Sequence, residues 1–224
     1  MPSLDDVSFD TSSLEFQGSF DEARVWSTAR GDPVSLHYFP VAPDIAADTS
    51  DIQALRKFAR EHLSAVGGVL ITLDTFVVDR VLSARQLVKV PQEPSGMTYI
   101  GSVTVPFRDF SFVLKIGGRE HGITGMRDTL VCQEMIQAGI VSLDPDAGVI
   151  RGWTQDPYDS TIRDGSFPNH SEAETYDTRF PEHPLSRVRP LLKTLSESLS
   201  LNERIRALPP FVYPRVQSGP WWQI

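Results

Sequence analysis

The sequence predicts an α+β protein: a mostly antiparallel sheet flanked by helices in a three-layer α/β/α sandwich, then a long irregular C-terminal extension and one further helix. Three observations predict it. Short β-rich runs separated by turn-forming residues fill positions 69–116, and links that short join antiparallel neighbours. Apolar residues at helical spacing stand on both sides of that block. Beyond residue 143 no period survives until a leucine-rich stretch near Pro184.

The 224 residues divide at composition shifts into an acidic arm over 1–23, an α+β core over 24–143, and an aromatic, acidic loop with a basic helix over 144–224, packed on the core. Arg24–Thr28 and Val34–Phe39 read as two strands, with Gly31, Asp32 and Pro33 supplying the turn of a hairpin. Ile52, Leu55, Phe58, Ala59, Leu63 and Val66 recur at helical spacing; Ser50 and Gln53 stand as a capping box and Gly67–Gly68 as the stop. Strands are expected over Val69–Leu73, Phe76–Val81, Gln86–Val90, Met97–Val105 and Phe110–Ile116. After a Gly117–Gly118 turn, Thr124 is expected to cap a second helix that buries Met126, Leu130, Val131, Met135 and Ile136 and ends at Gly139. These first two helices are expected to sandwich the sheet. A third helix starts near Pro184, with Leu185, Val188, Leu191, Leu192, Leu195 and Leu199 on one side and a kink or restart at Pro190.

The element order over residues 24–138 resembles the Mog1/PsbP/DcrB-like superfamily. The resemblance runs through Leu36–Phe39, Leu55–Leu63, and the stretch from Val69 through Gly96–Gly101 to Phe112–Leu114. It implies a three-layer sandwich and a non-enzymatic binder, such as a transport cofactor, an accessory subunit or an adaptor-chaperone. No short motif accompanies it, and nothing after residue 138 is covered.

Charge narrows the partners. The net charge of −8 is spread as −6 over 1–23, zero over 24–143, −6 over 144–183 and +4 over 184–224. Only the last segment offers a basic face, immediately after an acidic stretch that can neutralise it, which argues against nucleic acid. No run approaches the ~18 apolar residues of a membrane helix, and the opening Met1-Pro2-Ser3-Leu4-Asp5-Asp6 has no leader pattern, so a cytoplasmic location is expected. The single Cys132 lies among Leu130, Val131 and Met135 and reads as a buried thiol.

The cluster Arg119-Glu120-His121-Gly122-Ile123-Thr124-Gly125-Met126-Arg127 is where chemistry is most concentrated. Arg119, Thr124 and Arg127 can cradle an anion at a helix start; Glu120 and His121 are candidate acid and base. The bland alternative is a turn with Glu120 paired to Arg127. No Walker, dinucleotide, zinc or nucleophile-elbow pattern occurs, and the calcium-like start at Asp144 lacks its closing carboxylate, since Gln155 stands there. No cofactor or metal is therefore expected. The carboxylates Asp156, Asp159, Asp164, Glu172, Glu174 and Asp177 have the composition, without the spacing, of a paired-acid hydrolase site.

Trp153, Tyr158 and Tyr176, with Trp221 and Trp222 at the end, allow two readings. Either the extension closes on itself, its acids cancelled by the basic helix, or these aromatics anchor a partner protein, which would be basic. The expected function is a non-enzymatic protein-interaction module, an adaptor, effector-chaperone or immunity-like protein. The alternative is a small hydrolase or transferase with an anion-binding turn at 119–127.

Overall fold

The computed structural model describes residues 1–163 and 165–213. After a short β1 (Val7–Ser8) come β2 (Leu14–Phe20), β3 (Ala23–Thr28), β4 (Pro33–Phe39), α1 (Ile52–Ser64), β5 (Val69–Val78), β6 (Val81–Pro91), β7 (Met97–Pro106) and β8 (Ser111–Arg119). Then follow α2 (Met126–Gln137), the small hairpin β9 (Ser142–Asp144) and β10 (Val149–Arg151), α3 (Pro184–Ser198), β11 (Ser200–Leu201) and α4 (Glu203–Arg206). Seven strands make one antiparallel sheet in the order β2-β3-β4-β8-β7-β6-β5. The chain crosses from β4 to the far edge through α1 and meanders back until β8 pairs with β4, Leu36 opposite Leu114.

The two faces bury different helices. Leu70, Leu73 and Val88 point to one side, where Leu55 and Ala59 of α1 cover them. Leu87, Tyr99, Val103, Leu114 and Ile116 point to the other and receive Leu185, Val188, Leu192 and Leu195 of α3. The outer layers are thus α1 and α3, not the first two helices. Val131 and Met135 of α2 pack instead with Val141, Trp153, Tyr176 and Phe180 of the following segment. The leucine-rich helix of the C-terminal third completes the main core.

Several local expectations shift by short, physically explicable steps. Asp51, one residue after Ser50, caps α1, its carboxylate accepting from Gln53 N at 3.0 Å and Ala54 N at 3.1 Å. Gly67, at φ 71°, supplies the left-handed stop, with Gly68 N donating to Leu63 O at 2.8 Å. Five expected β runs merge into four long strands, because Asp79 and Arg80, both at positive φ, make a two-residue turn between β5 and β6.

Gly117 and Gly118 are not a turn; β8 runs through them to Arg119. A Cβ on Gly118 would stand 2.8 Å from Val188 Cγ2 and 3.0 Å from Pro184 Cβ, so the bare backbone is what admits α3. Thr124 does not cap α2, since Gly125 occupies that position at φ 70° with no side-chain cap. Pro190 sits inside α3 without ending it.

The acidic arm is also built in. Val7 pairs with Leu201 in β1-β11, Asp6 is buried and salt-bridged to Arg204, and Leu14–Phe20 is the edge strand next to β3.

Candidate functional site

The strand-to-helix connection after β8 places the sequence-predicted residues around one hollow of about 400 Å³, whose lining includes Arg119, Glu120, His121, Arg127, Phe180 and His183. Alternation along the strand end divides the neighbours: Glu120 turns inward and is buried, whereas Arg119 and His121 are exposed.

Glu120 is fully engaged. Its Oε2 accepts from Met97 N at 2.9 Å, its Oε1 accepts from Gly125 N at 3.0 Å, and His183 Nε2 lies 3.4 Å from Oε1. Burial pushes this carboxyl up, but the bonds from His183, Gly125 and Met97 outweigh it and hold the group below the ordinary carboxylate range. His183 Nδ1 accepts from Leu185 N at 3.2 Å and so caps α3, which leaves the proton on Nε2, facing Glu120. The pair ties the β7-β8 end to the starts of α2 and α3. It offers a substrate neither a free base nor a free acid, and His121 is not its partner.

Arg127 is turned away from solvent altogether, at 1 % exposure. Its Nε donates to Ser171 O at 2.7 Å, Nη1 to Ser186 Oγ at 2.8 Å, and Nη2 to Ala173 O at 3.1 Å and to Asp177 Oδ1 at 3.0 Å. Four of its five N–H directions are thus spent on the 171–177 segment and α3, so the guanidinium is a cross-brace, not an anion ligand. It does not pair with Glu120. Thr124 Oγ1 is 3.3 Å from Ser95 Oγ, and Arg119 Nε donates to Gln92 Oε1 at 3.2 Å.

The aromatics proposed as anchors are used within the chain. Tyr158 packs under Arg56, whose Cζ is 3.4 Å from the ring centroid, and its hydroxyl donates to Leu73 O at 3.2 Å, sealing the β5 edge. Trp153 and Tyr176 pack around α2. Trp221 and Trp222 lie outside the described residues. Of the nine acids in 144–183, Asp144, Asp156, Glu172, Asp177 and Glu182 form ion pairs with basic residues of this chain. Four of the partners, Arg60, Lys89, Arg127 and Arg30, belong to the core, and only Asp177 also meets the basic helix, through Arg189, so among the described residues the core rather than that helix neutralises most of the extension. No group of three or more metal-ligating side chains occurs among the described residues.

The acids of the N-terminal segment behave differently. Asp5 pairs with Arg24 and Asp6 with Arg204. Asp10, Glu15, Asp21 and Glu22, on or beside β2, have no ion pair among the described residues, and all four are exposed. On the same strand Phe16 is 56 % and Phe20 68 % exposed. β2 is one terminal strand of the sheet, and a terminal strand keeps a row of backbone N–H and C=O groups unpaired. Among the described residues no side chain from another segment hydrogen-bonds the β2 backbone as Tyr158 does at β5; Gln17 Nε2, on β2 itself, donates to Glu15 O at 3.4 Å. Sequence reasoning missed this edge because β2 is exposed on both faces and bulged between Phe16 and Gly18, so no alternation marks it.

The site and sheet define the class as an α+β protein with a seven-stranded antiparallel sheet. No family model matches the sequence, and no curated protein does. Among solved structures it is similar to one described as LpqN involved in cell envelope biogenesis of Mycobacterium tuberculosis, with 16% identity over 52% of this chain and 66% of that one and a TM-score of 0.26. The match spans just under two thirds of that protein's length. No helix among the described residues is long and apolar enough to cross a membrane.

Proposed function

We propose that this chain is a non-enzymatic protein-interaction module whose β2 edge takes up a basic, extended segment of a partner protein as an added strand. The observation that carries it is the concentration of carboxylates without an ion pair among the described residues, Asp10, Glu15, Asp21 and Glu22, around a terminal strand with exposed Phe16 and Phe20. Main-chain pairing supplies affinity in strand addition, and side-chain pockets and charges supply register and specificity. Rim carboxylates mainly speed the encounter with a basic partner, an effect that salt screens. The engagement of Glu120, His183 and Arg127 in structural bonds favours this reading over a hydrolase or transferase at 119–127. The resemblance to the Mog1/PsbP/DcrB-like superfamily points the same way.

The test uses a ten-residue peptide alternating lysine and valine. Hydrogen exchange of the full chain should show peptide-dependent protection at residues 14–20, strongest at low ionic strength. The paired charge reversals Glu15→Lys and Asp21→Lys should weaken binding at least ~10-fold at low salt. Protection confined to other segments, or affinity indifferent to those reversals, would overturn the edge assignment.

A further inference from the structure

We infer that the hollow between residues 119–126 and residues 179–184 binds a small organic carboxylate, its anionic head on Arg119 and its apolar body against Ile123, Met126 and Phe180. The inference goes beyond the β2 reading and uses none of its residues.

Of the guanidiniums that line this hollow, one has its outer end free. Arg127 is occupied as a brace, Arg179 pairs with Glu134, and Arg187 grips Asp32 through Nε at 2.8 Å and Nη2 at 2.7 Å. Arg119 is exposed, and only its Nε is engaged among the described residues, donating to Gln92 Oε1 at 3.2 Å. Gln92 is itself clamped. Its Oε1 also accepts from Thr98 Oγ1 at 3.0 Å, and its Nε2 donates to Glu120 O at 2.9 Å and to Ser95 O at 3.0 Å. A fixed amide thus orients the guanidinium, while Nη1 and Nη2 keep the parallel N–H pair that matches a carboxylate.

The acids of the lining do not compete for that fork. Glu120 is held by His183, Gly125 and Met97, and Glu182 is paired with Arg30. One guanidinium charge is therefore left to be matched, which selects a monoanion. A phosphate dianion would keep an unbalanced negative charge close to two carboxylates. Exposed His121 adds an imidazole N–H to the same lining.

The other walls are apolar. Ile123 is 77 % and Met126 47 % exposed, and Phe180, Pro181 and Pro184 complete the lining. Ile123 stands on a turn between Gly122 and Gly125, left-handed at φ 69° and 70°, which the Gly125 N–H bond to Glu120 ties down. A large apolar side chain is thus held in water beside a cation without a counter-ion. Apolar walls with a few placed polar groups are the make-up of a small-molecule site. The size agrees: about 400 Å³ lies within the roughly 300–1,000 Å³ of small-ligand clefts.

An NMR titration of the isotope-labelled full chain with 4-phenylbutyrate tests this. With about a dozen heavy atoms, the acid should bind with a Kd on the order of 1 mM and shift the amides of residues 119–126 and 179–184. Its neutral amide should bind at least ~10-fold more weakly, as should acetate, which has the head without the body. Arg119→Met, at an exposed position, keeps the apolar stem and should lose at least ~10-fold in affinity for the acid. Ile123→Asp, equally exposed, should weaken it as well. The inference is overturned by a wild type without saturable shifts up to about 20 mM, by an amide or acetate that binds as tightly as the acid, or by an Arg119→Met variant that binds unchanged. Shifts confined to residues 14–20 would also remove it and leave the β2 proposal standing; a bound acid with no uptake of the lysine-valine peptide would do the reverse.

Discussion

Lys89 Nζ lies 2.8 Å from Glu172 Oε1, and the two side chains are 8 % and 1 % exposed, so a strand of the sheet and the C-terminal extension are joined by a sealed ion pair. Oε1 has no well-directed hydrogen bond, while Oε2 accepts from Asn169 N at 2.8 Å. Burial raises the Glu172 carboxyl above its ordinary range, and Lys89 offsets only part of that. The pair is therefore held by charge, in a place where an unpartnered charge is expensive.

Lys89→Met should destabilise the protein by about 3–5 kcal/mol at neutral pH, because it leaves a buried carboxylate without a counter-ion. The sign of the pH effect follows from the raised carboxyl. Its stabilising contribution is complete below the unfolded value of 4.5 and is lost as pH rises through the folded value. Removing Lys89 raises the folded value further, so the deficit of the variant should grow between pH 4.5 and pH 8. The double variant Lys89→Met/Glu172→Gln should recover most of the loss. Urea melts at both pH values measure this, and an equal deficit at the two would refute it.

Gly118→Ala should destabilise by about 1–3 kcal/mol through overpacking, since its Cβ would meet Val188 Cγ2 at 2.8 Å. Val188→Ala removes that methyl and should relieve the strain, so the two changes should be non-additive in urea melts. Simple additivity would show that α3 shifts freely and that the glycine is not what seats it.

That glycine marks the boundary of what the sequence makes legible. α1 is readable because Ile52, Leu55, Ala59 and Leu63 carry its period and Gly67 ends it, all within one local stretch. The β5-to-β8 meander is readable for the same reason. Gly117–Gly118 looks like a turn locally and becomes strand only because α3, far along the chain, needs backbone-close approach. Likewise the leucine pattern of α3 declares an amphipathic helix without saying which sheet face receives it. At the candidate site, sequence adjacency groups Glu120 with His121, but strand alternation separates them and brings His183 in from the extension instead. Arg127 is equally opaque, because nothing in a helix-start arginine distinguishes a solvent-facing anion ligand from a brace aimed at carbonyl groups 44 and 46 residues later.

Arg127→Lys makes that distinction experimentally. Lysine keeps the charge but has one nitrogen in place of a planar fork, so it cannot reach Ser171 O, Ala173 O, Ser186 Oγ and Asp177 together. At least two buried acceptors would lose their donor, a loss on the order of 3 kcal/mol. Hydrogen exchange should quicken first at residues 171–177, which the guanidinium holds, while α1 and its sheet face stay protected. Sulfate provides the counter-test, since an anion bound at Arg127 stabilises the folded state in proportion to its occupancy. The brace requires sulfate to raise the melting temperature of the wild type and of Arg127→Lys by the same small amount. A stabilisation present only in the wild type would return this side chain to the role of anion ligand and reopen the 119–127 turn as a chemical site.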